Sequence, residues 1–337
     1  MKTKSIILAI VVVLVISSIL FLETQKTKPD TTIVNGDNMT KNNTNLAPEF
    51  QGIKTWLNSE PLTMNKLRGK VVLVDFWTYS CINCIRTLPY INTWYEKYKD
   101  NGLVIIGVHA PEFQFEKKVE NVQNAVDKYN IKYSVALDNN HQTWSAYQNR
   151  YWPRKYLIDK NGIIRYDHIG EGGYKETEKV IQKLLREIDS NVETSTVKLE
   201  DNTPNTKNTP ELYAGYKFAN SRNQKVSGEV IDPQSTKEYV IPTNPARDEI
   251  NLQGTWTASE DGLVAQTNGT ILLLYKAKAV NIVAEIASNI TVTHDGVKRE
   301  VQIIKPALYN LFTGEYSEHR LKINVTKGFK LNSFTFG

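Results

Sequence analysis

The sequence predicts two folded units of different class behind an apolar N-terminal segment. Residues 48–190 alternate short apolar runs with helix-like periodicity, which is typical of a mixed α/β unit: a central sheet flanked by helices. Residues 211–337 hold short runs with period-two alternation and no long helical pattern, which predicts an all-β sandwich. The polar residues 191–210, rich in Asn, Thr and Pro, predict a linker between the two units.

Composition narrows the class of function. The 337 residues leave room for two domains and additional segments. The formal net charge is +5, and acidic and basic residues are interspersed without a long basic run. This pattern indicates solvated surfaces and argues against a nucleic-acid-binding protein.

The N-terminal segment has the features of a membrane anchor. Lys2 and Lys4 precede the nearly unbroken apolar stretch 5–22, which as a helix spans roughly 27 Å, close to the bilayer core of about 30 Å. The stretch is longer than a usual signal-peptide core and lacks a good cleavage site. We therefore expect a single-pass anchor at 1–24, with Lys2 and Lys4 on the cytoplasmic side and the remainder extracytoplasmic; a cleaved signal peptide is the alternative. Residues 25–47 are polar and predict a flexible tether.

A pair of cysteines follows the first strongly apolar run. Val71–Trp77 is short and β-branched at its start, which predicts a buried strand. Cys81 and Cys84 come next, and the apolar residues from 85 to 98 recur at helical spacing. The cysteines therefore lie where a strand passes into a helix N-terminus, which favours a thiolate. This is the arrangement of a reversible dithiol switch.

The order of the residues suggests the chemistry of the pair. Cys81 is expected to be the exposed nucleophile, and Cys84, one turn into the helix, the more buried thiol that resolves the mixed disulfide. Asp75 lies on the preceding strand. A carboxylate buried there, its pKa raised by desolvation, is placed to take the proton from Cys84.

These motifs resemble a known family. The pattern D-F-W-x-x-x-C-x-x-C-x-x-x-x-P is similar to that of the thioredoxin superfamily. The Y-S-C-I-N-C core and the segment 151–159 resemble the extracytoplasmic TlpA-like branch, especially the soluble part of DipZ-type proteins. The resemblance covers roughly 50–188 and, for the DipZ type, the C-terminal region as well. It implies an α/β thioredoxin fold for the first unit.

Three other interpretations of the cysteine pair are weaker. A zinc site would need further ligands, but there is no second Cys pair and the five His are scattered. A c-type haem site needs His after the second Cys, where Ile85 stands. A peroxiredoxin would have Pro at the position of Val74. We expect no metal and no cofactor other than a redox-active Cys81–Cys84 disulfide.

The remaining elements of the first unit can be predicted in order. A hairpin is predicted in 50–70, a buried strand at Leu103–His109 and a helix at about 114–129. By resemblance to TlpA-like proteins, the acid Glu112 lies near the cysteines and tunes their pKa or moves a proton. The alternative is an ordinary first-turn acid that stabilises the following helix.

The next strands carry the predicted substrate contacts. A strand at 133–137, a short helix within 138–149, a hairpin turn at Gly162 and a final helix at 174–188 follow. Pro153 precedes a strand and resembles the cis-proline of thioredoxins, which implies that the Trp152 backbone contacts a substrate strand. A trans turn proline is the alternative. With Tyr79, these two residues are the predicted substrate-binding residues.

The C-terminal unit predicts a binding or positioning module. Asp295 and Gly296, between two apolar runs, are a strong hairpin signal. The DipZ resemblance implies a jelly-roll sandwich like a carbohydrate-binding module. Five aromatic residues are candidates either for stacking on sugars or for the core: Trp256, Tyr275, Tyr309, Phe312 and Tyr316.

Together these features predict a membrane-anchored extracytoplasmic thiol–disulfide oxidoreductase, most consistent with a reductase of protein disulfides. The resemblance implies a CcdA-like membrane electron donor on a separate chain. Two alternatives stay open: a disulfide oxidase or isomerase, and a cell-surface protein whose β-sandwich recognises a cell-wall glycan or a protein partner.

Overall fold

The computed structural model describes residues 45–337. The predicted anchor at 1–24 and nearly all of the predicted tether at 25–47 lie outside the described residues. Among the helices of 45–337, none is long and apolar enough to cross a membrane.

The N-terminal unit is a mixed six-stranded sheet with helices. Its strands are β1 (Trp56–Leu57), β2 (Val71–Trp77), β3 (Leu103–His109), β4 (Ser134–Leu137), β5 (Arg154–Ile158) and β6 (Ile164–Ile169). Its helices are α1 (Ile82–Tyr98), α2 (Val119–Lys128), α3 (Gln142–Ala146) and α4 (Tyr174–Arg186). The strand order is β1-β4-β3-β2-β5-β6. β2, β3 and β4 run parallel, while β1, β5 and β6 pair antiparallel with their neighbours.

Strand β2 is central and buried on both faces, which explains its nearly continuous apolar sequence. Its odd-numbered residues, such as Leu73, pack in the core that also contains α1 and α4. Its even-numbered residues, such as Val74, pack in a second core on the opposite face. Since side chains alternate along a strand, Asp75 points to the face that α1 covers.

Two local expectations for this unit are wrong. The hairpin predicted in 50–70 is absent, because β1 pairs with β4, which lies far along the chain. The helix predicted from about 114 is divided into a 3₁₀ turn, Gln114–Lys117, and α2. The helical spacing of the apolar residues, from which one helix was predicted, does not reveal that break.

The C-terminal unit is confirmed as all-β, apart from one short helix, α5 (Tyr216–Ser221). Its strands are β7 (Leu212–Tyr213), β8 (Thr236–Tyr239), β9 (Asn251–Ala258), β10 (Leu263–Ala265), β11 (Gly269–Ala284), β12 (Ser288–His294), β13 (Val297–Ile303), β14 (Ala307–Val325) and β15 (Lys330–Phe336). Asp295 and Gly296 adopt positive φ in the β12–β13 turn, as that hairpin requires.

The strands form a small barrel with extra strands, where a two-sheet sandwich was expected. The long β11 pairs with β9 near its start and with β15 near its end, while β10 joins β9 to β15. These pairings close a ring of four strands. Register shifts in the second half of β11 accompany its change of partner. β14, β12 and β13 extend the sheet beyond the ring.

Candidate functional site

The two cysteines lie at the start of α1. Cys81 is the N-cap residue, with an extended backbone (φ −78°, ψ 116°). The backbone N–H of Cys84 points at the Cys81 sulfur, with 3.4 Å between N and Sγ. Cys81 is half-buried, Cys84 is 1% exposed, and both are free thiols. The unequal exposure gives an outside partner access to Cys81 and not to Cys84.

The surroundings of Cys84 keep it protonated. Burial raises the pKa of the Cys84 thiol, and its hydrogen bond with Cys81 and the Cys81 charge raise it further. The negative charge of Asp75, which lies on the face of β2 that α1 covers, adds to this rise. The resting Cys84 therefore needs a base before it can attack a disulfide.

Asp75 is a buried carboxyl group with an unusual protonation equilibrium. Its Oδ1 has no hydrogen-bond partner within residues 45–337. Burial raises the pKa of Asp75 to about 7, and the positive charge of Lys155 opposes that rise. A group that titrates near neutral pH can both accept and return a proton.

Lys155 is a site residue that the sequence analysis missed. It is fully buried on β5, directly opposite Asp75 in the antiparallel pair β2–β5. Its Nζ donates to the Gly170 carbonyl at 2.9 Å, and burial lowers its pKa. A single lysine at the start of an apolar strand carries no sequence signal for this role, because only the strand register places it beside Asp75.

Glu116, also missed, holds the loop that precedes Cys81. Its carboxylate accepts from the Ser80 hydroxyl at 2.6 Å and from the Ser80 backbone N–H at 3.2 Å. The same carboxylate accepts from the backbone N–H groups of Glu112 at 2.6 Å and Phe113 at 3.0 Å. Glu116 therefore ties the cysteine loop to the segment that follows β3, and the 3₁₀ turn at Gln114–Lys117 brings it there.

Glu112 lies at the boundary with the C-terminal unit. Tyr213 of β7 donates its hydroxyl to Glu112 Oε1 at 2.6 Å. Burial raises the pKa of Glu112, and the charge of Glu211 raises it further. Its hydrogen-bond partner in the structure is thus supplied by the C-terminal unit. The role of Glu112 toward the cysteines stays a prediction.

A second hydrogen bond nearby joins the units: the Gln114 backbone N–H donates to Asp261 Oδ2 at 3.0 Å. Tyr90 of α1 also donates its hydroxyl to the carbonyl of Leu199, in the segment that leads to the C-terminal unit, at 3.0 Å. The buried core is continuous across the two units. The C-terminal unit is therefore packed against the segment that Glu116 ties to the cysteine loop.

The Trp152–Pro153 peptide bond is cis, as the resemblance implied. In the β2–β5 pair, Phe76 faces Arg154, so Pro153 lies at the end of β2 from which the cysteine loop departs. The Trp152 indole N–H donates to the Ala110 carbonyl at 2.9 Å, and the ring packs on Trp144 with centroids 4.3 Å apart. The side chain is thereby anchored beside the loop; its contact with substrate stays a prediction.

Tyr79 is turned inward. Its side chain is buried, and its ring stacks on His109 with centroids 5.8 Å apart. Tyr79 also lines a small cavity between α2 and residues 305–308 of the C-terminal unit. Its predicted role in substrate binding stays a prediction, and the packing gives it a structural one.

The candidate sugar-stacking residues divide into two groups. Trp256 and Tyr275 are buried in the core of the C-terminal unit. Tyr309, Phe312 and Tyr316 are half-buried along β14. The core interpretation therefore holds for the first two.

Comparison with known proteins agrees with this geometry. A Redoxin family model matches residues 41–185, and a model described as a thioredoxin-like C-terminal domain matches 209–337. Protein DipZ of Mycobacterium tuberculosis is 38% identical over 300 residues, 86% of this chain. The chain spans less than half of that relative's length, 43%.

Shorter relatives each match about two fifths of this chain. Thiol-disulfide oxidoreductase YkuV of Bacillus subtilis is 30% identical over 42% of this chain and 95% of its own length. Thiol-disulfide oxidoreductase ResA of Bacillus cereus is 33% identical over 41% of this chain and 76% of its own length. With the cysteine pair, the cis-proline and the mixed sheet, these matches show that the chain belongs to the thioredoxin-like thiol–disulfide oxidoreductases.

Proposed function

We propose that this chain reduces disulfide bonds of extracytoplasmic proteins through Cys81 and Cys84. The observation that carries the proposal is the asymmetry of the pair: an accessible sulfur at a helix N-terminus, and a buried sulfur one turn later above a carboxyl group that titrates near pH 7. Each feature supplies one step of a two-step exchange.

In the first step, the Cys81 thiolate attacks one sulfur of the substrate disulfide. A mixed disulfide forms between Cys81 and the substrate, and the second substrate sulfur leaves as a thiolate that takes a proton from water. The N-cap position places Cys81 next to the unpaired N–H groups of the first turn of α1, which stabilise negative charge on sulfur.

In the second step, Cys84 loses its proton to Asp75 and attacks the Cys81 sulfur. The Cys81–substrate bond breaks, the Cys81–Cys84 disulfide forms, and the substrate leaves with both sulfurs reduced. Lys155 supports this step because its charge favours the ionised carboxylate that accepts the proton. Two electrons pass from the dithiol to the substrate.

The direction of electron flow is testable through the reduction potential. The dipeptide between the cysteines, Ile82 and Asn83, matches neither the Gly-Pro of reducing thioredoxins nor the Pro-His of a strong oxidant. A potential near or below roughly −250 mV, measured against glutathione or dithiothreitol, would support the reductase. A value near roughly −120 mV would turn the proposal into a disulfide oxidase.

The cellular setting is proposed from the sequence and the resemblance. Residues 1–24 would anchor the chain in the cell membrane, with both folded units on the extracytoplasmic side. A CcdA-like membrane electron donor would return two electrons to the Cys81–Cys84 disulfide. A glycan or protein partner of the C-terminal unit is the alternative role for that part of the chain.

Trapping tests the two steps separately. In the Cys84→Ser variant, the mixed disulfide has no resolving thiol, so a disulfide-bonded test protein such as insulin should accumulate as a covalent adduct. In the Cys81→Ser variant, no adduct should form, because Cys84 is buried. Adduct formation through Cys84 alone, or disulfide reduction that survives Cys81→Ser, would contradict the mechanism. Non-reducing mass spectrometry distinguishes these outcomes.

A further inference from the structure

We propose that His294, Asp295 and His319 in the C-terminal unit form a binding site for a divalent transition-metal ion of the Zn²⁺ class. One atom from each side chain lies within 4.8 Å of the other two. His294 ends β12, Asp295 begins the β12–β13 turn, and His319 lies on β14, which pairs with β12. The site is separate from the cysteine pair in sequence and in the strands that build it.

Asp295 Oδ2 lies close to a ring nitrogen of each imidazole. Asp295 Oδ2 lies 2.7 Å from His319 Nδ1 and 3.5 Å from His294 Nδ1. Around a tetrahedral zinc ion, with bonds of about 2.0–2.2 Å, neighbouring ligand atoms lie about 3.4 Å apart. The distance to His294 already matches that spacing, and the distance to His319 needs to open by less than about 1 Å. Two imidazoles and one carboxylate are ligands that this class of ion prefers.

Each of the three side chains also has a hydrogen-bond partner at the polar atom that does not face the proposed ion. His294 Nε2 lies 2.9 Å from the buried Tyr275 hydroxyl. His319 Nε2 lies 3.2 Å from the Glu315 carbonyl. Asp295 Oδ1 accepts from the Arg320 backbone N–H at 2.8 Å, so that Oδ2 is left to face the imidazoles. Outer partners of this kind orient metal ligands in proteins and fix which ring nitrogen is free.

The hydrogen bonds of His319 point to a cation. The Glu315 carbonyl can only accept, so its contact requires the proton on Nε2. Nδ1 then faces the Asp295 carboxylate at 2.7 Å, so either a second proton on the ring or a metal ion must lie between them. A metal ion would bind His294 at the same time. The competing arrangements are metal-free: a His319 imidazolium donates from both nitrogens, or a neutral ring accepts from Ser317 at Nε2, 3.0 Å away, and donates Nδ1–H to Asp295.

The site is open on one side. The histidine side chains are 9% and 7% exposed, whereas Asp295 is 44% exposed. The His294 ring stacks on Phe312 with centroids 3.7 Å apart, which covers one face of that imidazole. Three protein ligands with one open position leave room for a water molecule or for a donor atom from a partner.

The test is Zn²⁺ titration of the full chain, purified in mild detergent without a histidine tag. Cys81→Ser and Cys84→Ser are introduced together, so that thiolates cannot bind the ion. Calorimetry should show one equivalent of saturable binding. Asp295→Asn and His319→Gln should each weaken the affinity at least tenfold. His141→Gln, a histidine of the first unit, is the matched control and should leave the affinity unchanged.

Asp295→Asn keeps the test valid if the histidine variants fold poorly, since Asn tolerates the positive φ of 46° at this turn. Co²⁺ gives a second measurement, because its visible absorption reports nitrogen and oxygen ligation directly. Loss of that absorption in Asp295→Asn, with an unchanged circular dichroism spectrum, supports the site. No saturable binding at 100-fold excess of Zn²⁺, or equal affinity in Asp295→Asn and the parent, would establish the metal-free arrangement and overturn the proposal.

Discussion

Two buried carboxyl groups flank the cysteine pair, and their hydrogen bonding differs sharply. Glu116 receives four donated hydrogen bonds, from Ser80, Glu112 and Phe113. Within residues 45–337, the Oδ1 of Asp75 has no hydrogen-bond partner, and the positive charge of Lys155 acts on this carboxyl group. Burial raises the pKa of both carboxyl groups, but in Glu116 these donors oppose the rise.

The comparison shows how one chemical group serves two purposes. A carboxylate whose oxygens are all engaged holds its neighbours in place, because moving it would leave several buried donors unsatisfied. A carboxyl group with a free oxygen and a pKa near 7 exchanges protons, because its two protonation states are close in free energy. We therefore assign proton transfer to Asp75 and positioning of the cysteine loop to Glu116.

The largest expected effect is on the resolving step. Asp75→Asn removes the base for Cys84, so resolution of the mixed disulfide should slow by about 10²-fold at pH 8. In the parent protein the rate should rise as the pH passes through about 7, where Asp75 loses its proton, and this inflection should vanish in the variant. Rapid-quench measurement of mixed-disulfide decay checks both.

Asp127→Asn is the matched control for that experiment, because Asp127 is an exposed acid on α2. It should leave the rate and its pH dependence unchanged. A parent-like inflection near pH 7 in Asp75→Asn would assign the proton transfer to another group.

The same variant should change stability in a pH-dependent way. The folded pKa of Asp75, about 7, exceeds its ordinary value of 3.8, so the folded state keeps a proton that the unfolded state loses. The free energy of unfolding of the parent is therefore lowered progressively from about pH 4 to pH 7 and is level above that. Asp75→Asn should gain up to about 4 kcal/mol at pH 9 and almost nothing at pH 4.

Urea unfolding of the reduced proteins at both pH values measures this gain. An advantage of the same size at pH 4 and pH 9 would mean that packing, and not ionisation, separates the two proteins.

A residue of this site could be predicted from the sequence only where it stands in a short, recognisable motif. Cys81, Cys84 and Pro153 stand in short motifs, and β2 and β3 were predicted to the residue, because an uninterrupted apolar run marks a buried strand. Lys155 and Glu116 acquire their roles through strand register and a loop contact, which no local pattern encodes.

The C-terminal unit shows the same limit of prediction from local sequence patterns. The first part of β14, residues 307–320, was not predicted, since Leu311 is its one buried residue. The barrel depends on β11 changing partners along its length, which alternation of apolar residues alone does not reveal.

Glu116→Ala should lower the free energy of unfolding by about 3 kcal/mol at pH 7. The change leaves the backbone N–H groups of Ser80, Glu112 and Phe113 buried without an acceptor. Glu116→Gln retains one acceptor oxygen and should cost less. Glu120→Ala, at an exposed position on α2, should stay within about 0.5 kcal/mol of the parent. Equal costs for Glu116→Ala and Glu120→Ala in urea unfolding would remove Glu116 from its positioning role.

The smallest effect concerns the boundary between the two units. Tyr213→Phe removes the hydroxyl that donates to Glu112 and should lower the free energy of unfolding by about 1–2 kcal/mol. Tyr151→Phe, on a side chain that is 48% exposed, should change it by less than about 0.5 kcal/mol.

The informative second measurement is the pH profile of Cys81 alkylation in Tyr213→Phe and Glu112→Gln. If both variants shift the profile, Glu112 acts on the dithiol as the family resemblance implies, and the C-terminal unit tunes the cysteines through Tyr213. If both lose stability with an unchanged profile, Glu112 resembles Glu116 in holding structure, and Asp75 alone exchanges protons with the pair.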